Sequence, residues 1–261
     1  MMNMDRTVHP VWGLIEILIV TLLFFIGLWV LGPMIATDRV PSVIFYLIVA
    51  AGAIHVLWYS PSKLHHDPPE ARGFGDFVPG YQGDGSFKHA WRVYALYTVI
   101  AAVMLVILAG WLDLVSLKEL NWAALWIKLV GYVALGMVQA VFFFGFIQRR
   151  VHAIIPVSGG FRAFPLHRFS VAILTSAIFA SYHLPNAMLI GFAFFSGCCW
   201  SWIFYKKPNI LLLGISHALL GTILHRVVQL PMRIGPFYEN PDLYILRTVF
   251  PGLDGFIGNL F

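Results

Sequence analysis

Long apolar runs broken by short polar stretches fill most of this chain. Four of them, at residues 11–35, 42–60, 91–115 and 122–148, reach or approach the roughly 20 residues that a helix needs to cross a hydrocarbon core of about 30 Å. Two more flank Pro185, and a last one follows the Lys206-Lys207-Pro208 break. The pattern predicts an all-α, polytopic transmembrane helix bundle of about seven spans, a single membrane domain over residues 1–261. The first run is too long for the apolar segment of a secretory signal and lacks a small-residue cleavage site, so it is expected to remain as a helix.

Two segments interrupt the pattern. Residues 61–90 are rich in Gly, Pro and charge, which predicts a long cytoplasmic loop. Residues 231–261 carry Pro236, Pro241 and Pro251 among Phe237, Tyr238, Tyr244, Phe250, Phe256 and Phe261. That tail is too broken to span. It suits the headgroup zone, either as a cover over the protein's own end or as a surface for a membrane-protein partner, with the helix faces offering a second such surface.

Composition agrees with the pattern: 59% of residues are apolar and 11% charged, which excludes an ordinary soluble domain. The net charge of +5 needs no nucleic acid, because membrane proteins gather Lys and Arg in cytoplasmic loops. Gln148-Arg149-Arg150, Arg162 and Arg168 come without an acidic residue, so this stretch is placed in the cytoplasm. Seven spans then put the N-terminus, the 61–90 loop and the Lys206-Lys207 turn on the same side, with Arg39, Lys118 and the tail opposite. Cys198 and Cys199 are adjacent inside an apolar run and are expected to be small packing residues.

The polar residues inside the runs carry the candidate chemistry. Glu16, near Trp12, is expected to reach toward headgroups or cap a neighbour, and His55 to make an interhelical hydrogen bond. His65-His66-Asp67 with Glu70 matches no closed metal site and is expected to be a solvated loop. His183, His217 and His225 are the candidate site residues. His217, Gly221 and His225 recur every four residues, so they lie along one broad helix face. Two neighbouring helices can bring two or three imidazoles to one point. That arrangement suits a divalent metal, a haem iron or a chlorophyll magnesium, and equally a hydrogen-bonded polar cluster.

Phe179-Ala-Ser-Tyr-His183 with Leu184-Pro185-Asn186, Ser216-His217-Ala218, and Phe144-Gly145-Phe146-Ile147-Gln148-Arg149-Arg150 carry a resemblance. Over residues 126–224, within a core of about 122–230, the chain resembles the CPBP family of intramembrane proteases, which includes the CAAX endopeptidase of prenylated proteins. Family members read Glu-Glu-x-x-x-Arg at the end of one helix, Phe-x-x-x-His on the next and His-x-x-x-Asn or Asp on a later one. Alignment on Gly145 puts Gln139-Ala140 at the glutamate pair, Phe144 at the arginine and Gly221 at the final Asn or Asp. The resemblance implies His183 and His217 as catalytic or metal-holding positions, and leaves His225 as a possible cofactor ligand. In the family a glutamate activates water; glutamine takes no proton and alanine has no polar atom, and loss of such a base costs a factor of about 10²–10⁴.

The resemblance therefore implies a divergent, pseudoenzyme-like membrane protein, a scaffold or accessory subunit of a membrane complex. The alternatives are an active metal-dependent endopeptidase of the CAAX-processing type with an altered site, and a haem or chlorophyll binder. The Leu-Pro-Asn sequence is typical of bacterial members, which implies the cytoplasmic (inner) membrane with the N-terminus inside.

Overall fold

The computed structural model describes residues 9–35, 39–111, 122–156 and 160–239. The link around Asp113, Lys118 and Glu119 and the tail from 240 onward, with Tyr244, Phe250, Phe256 and Phe261, lie outside the described residues, as does the side chain of Arg162.

Seven helical rods are described, joined without strands among the described residues. α1 (Pro10–Phe25) continues through a π turn at Ile26–Leu31 and a short 3-10 turn at Gly32–Met34. α2 (Arg39–Ile54) likewise continues as a π segment, His55–Leu64. α3 is Phe87–Trp111. α4 (Trp122–Gln139) passes through π segment Ala140–Ile147 into α5 (Gln148–Ile154) as one rod. α6 (Gly160–Ser181), α7 (Ala187–Phe204) and α8 (Ile210–Arg226) complete the bundle. Five of these rods are long and apolar enough to cross a membrane; α6 and α8 fall outside that set, α8 being shorter. α6 nevertheless runs 22 residues, about 33 Å, comparable to the thickness of a hydrocarbon core.

The termini of the rods follow local chemistry. Asn186 and Asn209 each precede an apolar run, and each side-chain oxygen accepts the amide three residues on, Leu189 at 3.1 Å and Leu212 at 2.8 Å. These caps satisfy amides that no helical carbonyl reaches. Each asparagine also pins a loop with its NH2 group: Asn186 to the Pro231 carbonyl at 2.6 Å, Asn209 to Asp76 at 2.6 Å and the Gly85 carbonyl at 2.8 Å.

α6 packs on α7, α4 on α8, α3 on α8 and α1 on α5. The α4–α8 contact is backbone to backbone. A Cβ on Gly136 would stand 2.5 Å from the Gly214 carbonyl oxygen, and one on Gly214 would stand 2.7 Å from Met137. No larger residue fits either position without separating the helices.

Eight of the nine tryptophans are exposed, and they sit near rod ends. Trp12, Trp58, Trp91 and Trp202 mark one rim; Trp29, Trp111, Trp122 and Trp126 mark the other. Trp91 and Trp111 lie 20 residues apart on α3, a rise of about 30 Å, which matches one hydrocarbon core. The first rim also holds the 61–90 segment, the α5 end and the α7–α8 turn, as bonds from Arg149 to Asp67, Asn209 to Asp76 and Lys207 to the His89 carbonyl show. At the second rim, residues 231–237 fold over the α6–α7 turn: Gly235 donates its amide to Leu184 O at 2.6 Å, and the buried Phe237 follows. Cys198 is half-buried, and the more exposed Cys199 lies against Tyr97, so both thiols are free and in contact with neighbouring side chains.

Candidate functional site

Two polar constructions interrupt the apolar interior. The first lies about one helical turn below the Trp12 rim. Glu16 is buried on α1, where its Oε1 receives His55 Nε2 at 2.9 Å and its Oε2 receives His65 Nε2 at 3.0 Å and Arg150 Nε at 2.9 Å. Arg150 is fully buried and spends its other nitrogens on Asp67 Oδ2 and Ser60 Oγ, both at 2.5 Å. Arg149 closes the group on Asp67 Oδ1 at 2.6 Å. Phe146 lies under the Arg150 guanidinium at 4.3 Å.

Charge pairing organises this cluster. Glu16 and Asp67 face Arg149 and Arg150, and a third guanidinium, that of the buried Arg72, lies within reach of Asp67 and donates to the Leu57 carbonyl at 3.0 Å. Burial alone would raise the Asp67 carboxyl, but Arg149 and Arg150 outweigh it and hold the acid below its ordinary 3.8. Burial and the nearby Arg150 push His65 below its ordinary 6.5, against the pull of Glu16 and Asp67. His65 is therefore neutral at pH 7 and serves as a hydrogen-bond donor.

This arrangement corrects several sequence expectations. His65 and Asp67 are not a solvated loop; only His66 of that trio is exposed. Glu16 neither reaches to headgroups nor caps a helix. Gln148-Arg149-Arg150 does stand at the end of the rod begun by α4, and both arginines are ion-paired with acids from other segments rather than free. His55 does make the interhelical hydrogen bond expected of it.

The second construction is the imidazole pair. His183 follows the last turn of α6, and its Nδ1 donates to Phe179 O at 2.9 Å. Its ring stands edge-on to Phe179 at 4.9 Å. His217, midway along α8, lies 6.4 Å from the same Phe179 ring and 5.3 Å from Trp200. Trp200 is the one buried tryptophan. Its indole N–H reaches Ser216 Oγ at 2.9 Å, and that hydroxyl pairs with Thr98 at 2.6 Å. Phe179 thus brings His183 and His217 to one neighbourhood, as the motif spacing anticipated.

Around that pair the aligned positions hold no acid or cation. Phe144 is buried with its ring 6.0–6.4 Å from Phe179, Phe204 and Trp200. Ala140 is fully buried. Gly221 faces Tyr132, where a Cβ would stand 3.1 Å from the ring. Gln139 Oε1 and His217 Nδ1 are buried without a hydrogen-bond partner. Among the described residues no third His, Cys, Asp or Glu joins the two imidazoles. The pair by itself does not fit the divalent metal that the resemblance implied, since protein metal sites take three or four such groups.

His225 stands apart. Its Nδ1 is bonded to Lys128 Nζ, and Lys128 also lies over Tyr132 at 4.4 Å. His225 is two turns beyond His217 on α8, about 12 Å along the axis. The structure does not bring it to the other two.

Rods of membrane length, two tryptophan rims and an apolar interior define a polytopic helical membrane protein in contact with the bilayer. Within it, residues 120–223 match the family described as type II CAAX prenyl endopeptidase Rce1-like. This stretch, from the start of α4 almost to the end of α8, is similar to that family, and it holds both imidazoles. No curated protein and no solved structure matches the chain.

Proposed function

We propose that the chain is a catalytically silent CAAX-endopeptidase-like protein that acts as a scaffold or accessory subunit of a membrane complex. One observation carries this. Glu16, the one buried carboxylate within a described span, is held by Arg150, His55 and His65 at the rim, while His183 and His217 sit among phenylalanine and tryptophan. Hydrolysis of a peptide by this family's chemistry needs a carboxylate to take a proton from water, and the imidazole pair has none beside it among the described residues. A fold keeps its shape when a site is emptied, so family membership does not restore the activity.

The exposed apolar flanks of α1, α2 and α3 provide the faces on which lipid and partner helices would pack. The exposed Lys63, Lys88, Arg92 and Lys206 all belong to the first rim, which supports placing that rim, and with it the N-terminus, in the cytoplasm.

The test is a cleavage assay on the purified chain in lipid, using a prenylated CAAX peptide. No turnover is expected. Turnover that disappears in His183→Ala or His217→Ala protein would overturn the proposal. The scaffold role is read by native mass spectrometry of gently extracted membranes, where a heteromeric assembly is expected and the solitary 29.3 kDa chain would count against it.

A further inference from the structure

The rim where α3 begins and α7 turns into α8 gathers positive charge in a way the site does not use. Lys88 and Arg92 are exposed four residues apart on α3, so they share a face and repel each other. The α7–α8 turn is fastened to the same corner. Lys207 Nζ donates to the His89 carbonyl at 2.8 Å, and Tyr94 donates its hydroxyl to the Lys207 carbonyl at 3.0 Å. Lys206, beside it, is exposed.

Four cations therefore meet three carboxylates, Asp76, Asp84 and Glu70, which gather around Tyr81. Asp76 is engaged: its oxygens accept the Phe87 amide at 2.7 Å and the Asn209 NH2 at 2.6 Å. Asp84 is exposed in the preceding loop. The corner retains an excess of positive charge.

Depth identifies what that charge meets. Exposed Trp91 is next to Arg92, whose guanidinium lies 5.7 Å from its ring, and exposed Trp202 is four residues before Lys206. Indoles settle at the headgroup level, and Lys and Arg on such rims extend toward phosphates. We propose that Lys88, Arg92 and Lys206, supported by Lys207, form a binding site for the phosphate of an anionic phospholipid. The acyl chains of that lipid lie along α3, whose apolar side chains Leu96, Val99 and Ile100 are exposed.

The full chain is exchanged into mixed micelles of phosphatidylglycerol and phosphatidylcholine with identical acyl chains, and retained lipid is read by native mass spectrometry. Wild type is expected to retain phosphatidylglycerol preferentially. Lys88→Gln, Arg92→Gln and Lys206→Gln should each lower that preference by roughly fivefold, the value of one basic residue at an anionic surface. Lys63→Gln, the same charge change on the α2 flank, should leave it nearly unaltered. Equal retention of both lipids by wild type overturns the proposal. So does an unchanged preference in the triple variant, or a loss in Lys63→Gln as large as in Lys206→Gln. Should the triple variant fail to fold, the three single variants decide the matter alone.

Discussion

The rim cluster and the imidazole pair are both polar constructions in an apolar bundle, yet they are assembled differently. At the rim, Glu16 and Asp67 face Arg149 and Arg150, and the polar atoms of Arg150 all find acceptors. Around His183 and His217 the neighbours are rings, and His217 Nδ1 and Gln139 Oε1 find no partner. Buried ions persist only when paired, because leaving one uncompensated costs several kcal/mol. A neutral imidazole against an indole is tolerated at far lower cost. The lesson is that the rim cluster is built from mutually compensating charged groups, whereas the imidazole pair is set among aromatic rings.

Three experiments press on that contrast. The largest effect belongs to Arg150→Ala, which strands Glu16 and Asp67 without their shared guanidinium. A loss of about 3–5 kcal/mol is expected, seen as a lower thermal transition in detergent or as failure to accumulate. Arg150→Lys should recover only part of this, since an ammonium cannot span Glu16, Asp67 and Ser60 at once. A variant as stable as wild type would show that the cluster contributes little.

Next comes a matched pair of substitutions. His65→Phe removes a donor from the buried Glu16 carboxylate and is expected to cost about 1–3 kcal/mol. His217→Phe swaps a ring of similar size whose Nδ1 has no partner, and should cost less than about 1.5 kcal/mol. If the order is reversed, the imidazole pair is structurally the more important of the two.

The mildest effect is the response to acid. His65 has a folded pKa below its unfolded value of about 6.5, so the unfolded chain takes up the proton first and stability falls as pH drops below that value. Asp67 contributes stability that is complete above about pH 4 and lost as pH falls through its lower folded pKa. Both act in one direction. Thermal unfolding followed from pH 8 downward should show a decline beginning near pH 6.5, with the first part shallower in His65→Phe protein.

Much of the bundle was legible in the chain because span length is set by the bilayer, and Phe179, His183 and His217 were found because helical spacing puts such residues on one face. The rim cluster was not, and the reason is distance along the chain. Glu16 meets Arg150 across 134 residues and His65 across 49, and no local pattern encodes such pairing. The composition of residues 61–90 spoke for solvent, whereas Asp67 is buried because Arg149 and Arg150 come to it. Arg149-Arg150 in turn read as unpaired charge at the end of a span, because the acids that pair with them lie far away in sequence. The two asparagine caps could have been found: Pro185-Asn186 and Pro208-Asn209 each stand before an apolar run, a start signal for a helix.

Arg150 lies inside the Rce1-like stretch, while the carboxylates that neutralise it come from α1 and from the segment after α2, both well upstream of residue 120. The matched stretch therefore depends on the helices before it. A truncation that began where the match begins would leave the Arg150 guanidinium buried with neither of its counter-charges, so α1 and the segment after α2 belong to the same structural unit as residues 120–223.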